Sequence, residues 1–128
     1  KVPIGLVASE LEFFIKGITD KRWLQERNNH IWDDWCDPRI VPYGNDEETK
    51  NKMKFENNLG RIYGYQWRNW WSLNGNSIDQ LKNIVDKLKS NPEDRRMICL
   101  AWNPSDLDKM VKFFSLATSS INFLLALL

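Results

Sequence analysis

Histidine and cysteine are scarce in this sequence. The 128 residues contain one histidine, His30, and two cysteines, Cys36 and Cys99. A single histidine argues against a histidine-rich metal site, and no metal is expected. Two cysteines so far apart form no disulfide framework, and no signal peptide is evident at the start. A reducing, cytoplasmic setting is therefore expected, without a membrane partner.

An excess of charge of one sign is missing as well. Lysine and arginine number 18 against 17 aspartate and glutamate residues, so no basic stripe favours a nucleic-acid partner. The length suits one domain with a modest core. Tryptophan, in contrast, is abundant, with seven residues. Its large ring and single N–H suit both protein cores and the walls of pockets for planar ligands.

Apolar spacing and turn residues predict a chain of mostly helical segments. The first helix, over 9–16, is mostly buried and ends at Gly17. A second helix is predicted from a cap at Thr19 to about Asn28, followed by a loop over 36–44 and an exposed helix over 45–57. An irregular region with a short strand is predicted over 60–71, and a turn at 74–76. The last predicted helix is amphipathic, starts from a Ser77–Gln80 capping box and ends before Pro92.

A pair of arginines, Arg95 and Arg96, precedes a short apolar run from Met97 to Trp102 that is typical of a buried strand. Guanidinium groups bind phosphate or carboxylate through two parallel hydrogen bonds, so the pair is a candidate anion anchor. The alternative is a solvated basic end of a strand. Helices together with at least one buried strand predict an α/β or α+β fold.

Several ordered motifs resemble thymidylate synthases, and the resemblance runs from Lys1 to Met110. The matching segments are Glu10 to Gly17 (Glu-Leu-Leu-Trp-Phe-Leu-x-Gly in the family), Ile31 to Trp35 (Ile-Trp-Asp-Glu-Trp), Gly60 to Arg68 (Gly-Pro-Val-Tyr-Gly-x-Gln-Trp-Arg), Ile78 to Leu81, and Asp94 to Met110. The resemblance implies an α+β fold with a partial mixed sheet packed by helices, incomplete relative to the family. It also implies reductive methylation of deoxyuridylate (dUMP) to deoxythymidylate (dTMP), with 5,10-methylenetetrahydrofolate as co-substrate.

The resemblance also assigns roles to individual residues. Glu10 is similar to the catalytic glutamate, which assists proton transfer at the pyrimidine, and Tyr63 to a tyrosine near the catalytic cysteine. Trp32 and Trp35 are similar to tryptophans of the folate pocket. Arg95 and Arg96 are similar to the pair that binds the dUMP phosphate of the other subunit, which implies a homodimer. From the residues alone, a solvated Glu10, a core Tyr63 and a structural Trp35 are the alternatives.

The resemblance stops before the family's catalytic cysteine. Residues 1–110 form the thymidylate synthase-like region, and residues 111–128 form a divergent apolar tail in which Ser115 stands where the cysteine is expected. The tail is interpreted as a reading-frame change, as a membrane-seeking segment too short to span a bilayer, or as a replacement element that covers the core. The chain is therefore expected to be truncated and inactive alone.

Two other functions remain open from the sequence. One is a deoxypyrimidine-monophosphate hydroxymethylase, which would add water where the synthase delivers hydride. The other is a non-catalytic partner that pairs with a full-length synthase.

Overall fold

The computed structural model describes residues 3–106, so the apolar tail at 111–128 lies outside the described residues. The described part has an α+β fold, as predicted, with five helices and one two-stranded antiparallel sheet. The elements are α1 (Ile4–Ile15), α2 (Arg22–Gln25), α3 (Glu47–Phe55), α4 (Tyr63–Arg68), β1 (Trp70–Trp71), β2 (Ser77–Ile78) and α5 (Gln80–Ser90).

The first helix ends at Gly17, as the sequence predicts. Gly17 has φ +66°, its N–H donates to Phe14 O, and the N–H of Ile18 donates to Phe13 O. These two bonds form a Schellman motif, in which a left-handed residue closes the helix. The helix begins at Ile4, five residues before the predicted start, and its first turns carry exposed apolar side chains.

The prediction that Thr19 caps the second helix is wrong. The helix has only four residues, and Lys21 precedes it. The backbone on both sides of Asp20 is engaged elsewhere, because Leu59 N–H donates to Thr19 O and Lys21 N–H donates to Asn57 O. Residues 19–21 therefore lie against residues 57–59, and the helix begins only at Arg22.

The charged helix and the amphipathic helix form where predicted, and an aspartate caps each. The carboxylate of Asp46 accepts from Thr49 N–H at 2.8 Å, and that of Asp79 accepts from Lys82 N–H at 2.9 Å. Such contacts satisfy an N–H group that has no partner inside the helix. The predicted capping box from Ser77 is wrong, because Ser77 belongs to β2.

The region over 60–71 is more helical than predicted. It forms α4 before β1, which pairs with β2 across the turn at Gly75. The turn at 74–76 is therefore confirmed.

The buried strand predicted over 97–102 is not formed among the described residues. Ile98, Leu100 and Trp102 are 65%, 53% and 45% exposed, while the residues between them are half-buried. The backbone of Leu100 is held by a side chain, since its N–H donates to Gln80 Oε1 and its carbonyl accepts from Gln80 Nε2. The alternating exposure fits a strand, but no second strand of the described chain pairs with it.

The core lies where α1 packs on α4. Its buried side chains are Phe13, Phe14, Leu24, Trp32, Leu59, Ile62 and Tyr63. The two helix backbones approach closely at Gly64, where an added Cβ would lie 2.6 Å from both Cα and O of Phe14. A glycine here permits the contact that places the start of α4 beside Glu10 of α1.

Candidate active site

The central contact of the site joins α1 to the turn that follows α2. The indole Nε1–H of Trp32 donates to Oε1 of Glu10 at 2.7 Å. Glu10 is half-buried and Trp32 is buried, so the hydrogen bond forms at the border of the core. A hydrogen bond to a carboxylate is short and strong, and it fixes the orientation of both groups.

The surroundings of Glu10 favour its protonated form. Burial raises the pKa of this carboxyl, and the hydrogen bond from Trp32 partly opposes the change. Burial also raises the pKa of Tyr63, and the negative charge of Glu10 raises it further. The phenol therefore stays protonated at neutral pH. The site therefore combines a carboxyl group whose pKa is shifted toward neutrality with a phenol that can donate a hydrogen bond.

The Trp32 ring that holds this carboxylate belongs to a cluster of aromatic rings. The ring of Phe14 meets the rings of Tyr63 and Trp32 edge to face, at centroid distances of 5.4 and 5.9 Å. Trp32 and Tyr63 are themselves 6.2 Å apart. Edge-to-face packing of this kind is favourable and sets ring orientation. The structure thus brings together three of the residues singled out from the sequence: Glu10, Trp32 and Tyr63.

Trp35 is oriented by a different neighbour. Its ring stacks on Tyr43 at 6.2 Å and an interplanar angle of 14°. Trp32, in contrast, is only 7% exposed and holds Glu10. The half-buried Trp35 has the more accessible ring of the two. Binding of folate by these tryptophans stays a prediction.

Arg95 and Arg96 lie on the surface, and both are exposed. Neither guanidinium forms a salt bridge or a hydrogen bond with another residue in the 3–106 range. The backbone of Arg96 is held, because its N–H donates to Asp94 Oδ1 at 2.9 Å. Both arginines are thus presented to solvent, away from any described contact with Glu10. Their proposed use by another subunit stays a prediction.

Neither cysteine has the environment of a nucleophile. Cys36 is buried, its thiol lies near the carbonyls of Asp37 and Val41, and burial raises its pKa. Burial also raises the pKa of Cys99, to about 11. A nucleophilic cysteine needs a stabilised thiolate, so both behave as structural residues.

Two supporting residues of the site carry no clear signal in the sequence. The buried amide of Asn29 donates to Leu6 O and to Ser9 Oγ, and it accepts from Ile31 N–H. These bonds tie α1 to the turn that carries Trp32. The ammonium of Lys21 donates to two backbone carbonyls of the same turn, those of Asp33 and Trp35. Only the folded chain shows why these polar residues are buried.

A second buried polar network fixes the end of the described chain. The carboxylate of Asp106 accepts from Arg61 Nη1 at 3.2 Å and from Gln66 Nε2 at 2.9 Å. Gln66 is 1% exposed and Asp106 is 5% exposed. Arg61 stands where the family motif has proline, and its guanidinium forms a salt bridge with Asp106.

Within residues 3–106, no group of three or more His, Cys, Asp or Glu side chains is arranged to hold a metal ion. No helix of that range has the length and apolar character needed to cross a bilayer.

A comparison with protein families identifies the family of this chain. The family model described as thymidylate synthase matches residues 1–120, which is most of the chain and extends beyond the boundary predicted at residue 110. The position of that boundary stays a prediction. A match of this extent shows that the chain belongs to the thymidylate synthase family.

Proposed function

We propose that this chain provides one part of a site for the reductive methylation of dUMP to dTMP, with 5,10-methylenetetrahydrofolate as co-substrate, in the cytoplasm. The observation that carries the proposal is the 2.7 Å hydrogen bond between Trp32 and Glu10 beside Tyr63. The folate would supply both the one-carbon unit and the reducing hydride. Trp35 and Trp32 would form the wall of its pocket.

In this proposal Glu10 takes up and releases protons near the pyrimidine. Its raised pKa suits proton transfer near neutral pH, because a catalytic group works best with a pKa close to the operating pH. The Trp32 indole holds one carboxylate oxygen and leaves the other for water or substrate. Tyr63 remains a neutral hydrogen-bond donor at the same place.

We further propose that the 128-residue chain does not turn over by itself. The family's chemistry begins with addition of a thiolate to the pyrimidine, and both cysteines of this sequence have a raised pKa. The test is tritium release from 5-tritiated dUMP in the presence of methylenetetrahydrofolate. No release above the enzyme-free blank is expected. Release that scales with protein concentration would refute this part of the proposal.

A second candidate function is pairing with a full-length synthase. It is favoured by the exposed Arg95 and Arg96, whose guanidinium groups have no partner within residues 3–106. In this role the chain would donate the arginine pair to the phosphate site of the other subunit. The dimer would then contain one complete site.

Complementation tests this second function. A full-length synthase with its own equivalent arginine pair changed to alanine is mixed with this chain, and tritium release is measured. Activity should return with the unchanged chain and not with the Arg95→Ala/Arg96→Ala variant. Lys89→Ala, which removes a surface charge from α5, is the control and should behave like the unchanged chain. Equal activity with all three forms, or none with any, would reject the pairing.

A further inference from the structure

Lys21 is a charged side chain inside the protein. It has no exposed surface, although lysine is seldom fully buried. Burial lowers the pKa of its ammonium, and the neighbouring Cys36 thiol and the carboxylates of Asp33, Glu56 and Asp34 oppose this effect. A charge in this position destabilises the fold unless hydrogen bonds compensate it.

Three backbone carbonyls compensate the charge. The Nζ of Lys21 donates to Asp33 O at 2.8 Å, to Trp35 O at 2.9 Å and to Met53 O at 2.9 Å. An ammonium has three N–H donors, so each donor has an acceptor. None of the acceptors is a carboxylate, so Lys21 binds backbone carbonyl oxygens and not a charged partner.

Two of these carbonyls belong to the turn that carries the site's tryptophans. The turn is closed by the N–H of Trp35, which donates to Trp32 O at 3.1 Å. Lys21 holds the carbonyl of Asp33 inside this turn and that of Trp35 at its end. With both carbonyls fixed, the backbone of Trp32 has little freedom to rotate.

The third carbonyl is near the end of α3. Met53 O is among the last four carbonyls of that helix, which lack an amide partner inside the helix. A cation at this end also interacts favourably with the helix dipole. Lys21 therefore ties the tryptophan turn to α3 through a single buried group.

We infer that Lys21 is a positioning residue, whose ammonium sets the Trp32–Trp35 turn and thereby aims the Trp32 indole at Glu10. The inference uses the proposed function only for the role of Glu10. The positioning itself is a structural statement, and it is tested without turnover.

The test measures the indole N–H resonance of Trp32 in the nitrogen-15-labelled chain, assigned with Trp32→Phe. Because Glu10 accepts this N–H, the resonance should shift as the carboxyl titrates. Lys21→Met keeps a side chain of similar length and removes all three N–H donors. In this variant the shift linked to Glu10 should be lost while the helical circular dichroism is retained. A folded Lys21→Met protein with the full shift would overturn the inference.

Lys54→Met is the matched control. Lys54 also links α3 to the same turn, through a 3.5 Å salt bridge to Asp34, but its side chain is 57% exposed. Exposed ion pairs contribute little to stability, so this variant should keep the shift. Loss of the shift in both variants would mean that every α3–turn link is required, and the specific role of Lys21 would be rejected.

If Lys21→Met does not fold, the unchanged chain provides a second measurement. Deprotonation of Lys21 at high pH removes one of its three donors, and the titration is repeated in Cys36→Ser because the neighbouring thiol also ionises at high pH. The carbonyl carbon resonances of Asp33 and Trp35 should then move with one midpoint, and the Trp32 indole resonance should move with the same midpoint. An indole resonance that ignores this transition would overturn the inference.

Discussion

Replacement of Gly64 by alanine should destabilise the protein through the contact between α1 and α4. The added Cβ would lie 2.6 Å from Cα and O of Phe14, whereas ordinary van der Waals contact begins at 3.4 Å. The obstacle is helix backbone, which has no rotamer to change. The helices must separate by roughly 1 Å, and overpacking of this kind costs up to about 3 kcal/mol.

Alanine also brings a gain, since it has a higher helix propensity than glycine by about 1 kcal/mol. The expected net loss is up to about 2 kcal/mol, which for a domain of this size lowers the melting temperature by up to about 8 °C. Thermal unfolding followed by circular dichroism measures this change. Near-ultraviolet circular dichroism should change as well, because Phe14 and Tyr63 meet edge to face at this contact.

Gly5→Ala is the matched control for this prediction. Gly5 also lies in a helix, but an added Cβ there meets no heavy atom within 4 Å. Only the propensity term applies, so this variant should gain up to about 1 kcal/mol. If Gly64→Ala is as stable as Gly5→Ala, the close approach of α1 and α4 does not exist as described.

Three further predictions concern buried polar groups. In Trp32→Phe, the carboxyl of Glu10 loses its donor, so its pKa should rise further, as a carboxyl-carbon NMR titration would show; an unchanged pKa would contradict the contact. Asp106→Ala removes the carboxylate that accepts from Gln66 Nε2 and Arg61 Nη1, while Gln66 Nε2 keeps its bond to Arg61 O; the change should cost about 1–3 kcal/mol in urea unfolding, whereas a neutral result would argue against the network. Burial raises the pKa of Asp37, but hydrogen bonds from Arg39 outweigh this effect and hold the pKa below its ordinary 3.8. The stability that Asp37 contributes is therefore present above that value and lost as the pH falls below it. In Asp37→Asn, the free energy of unfolding should fall less steeply at acid pH, and an unchanged fall would exclude Asp37 as its source.

Local rules explain the parts of the fold that the sequence predicted well. Gly17 ends α1 and Gly75 forms the 74–76 turn, because a left-handed glycine acts on its own neighbours. The Thr19 cap failed for a non-local reason, since Thr19 O is bonded to Leu59 N–H. No pattern within a few residues of Thr19 contains that information.

The site shows the same division between local and distant information. Glu10, Trp32 and Tyr63 could be selected by resemblance, and the structure places them together. Lys21 and Asn29 were not selected, because their roles depend on carbonyls and hydroxyls from other segments. A lysine next to a short helix ordinarily indicates a solvated surface, and only the folded chain shows its three backbone acceptors.

The buried lysine also has a consequence for how relatives of this chain diverge. The segment over 38–57 leaves and returns at one place, where Asp37 N–H donates to Asn58 O at 2.7 Å. Such a loop can change length at little entropic cost. Yet it supplies the Met53 carbonyl, 32 positions from Lys21. Without α3, one ammonium donor would be buried and unsatisfied, at a cost of about 1–3 kcal/mol. Loop length and residue type at position 21 should therefore covary, with an apolar residue at that position wherever the loop lacks its helix.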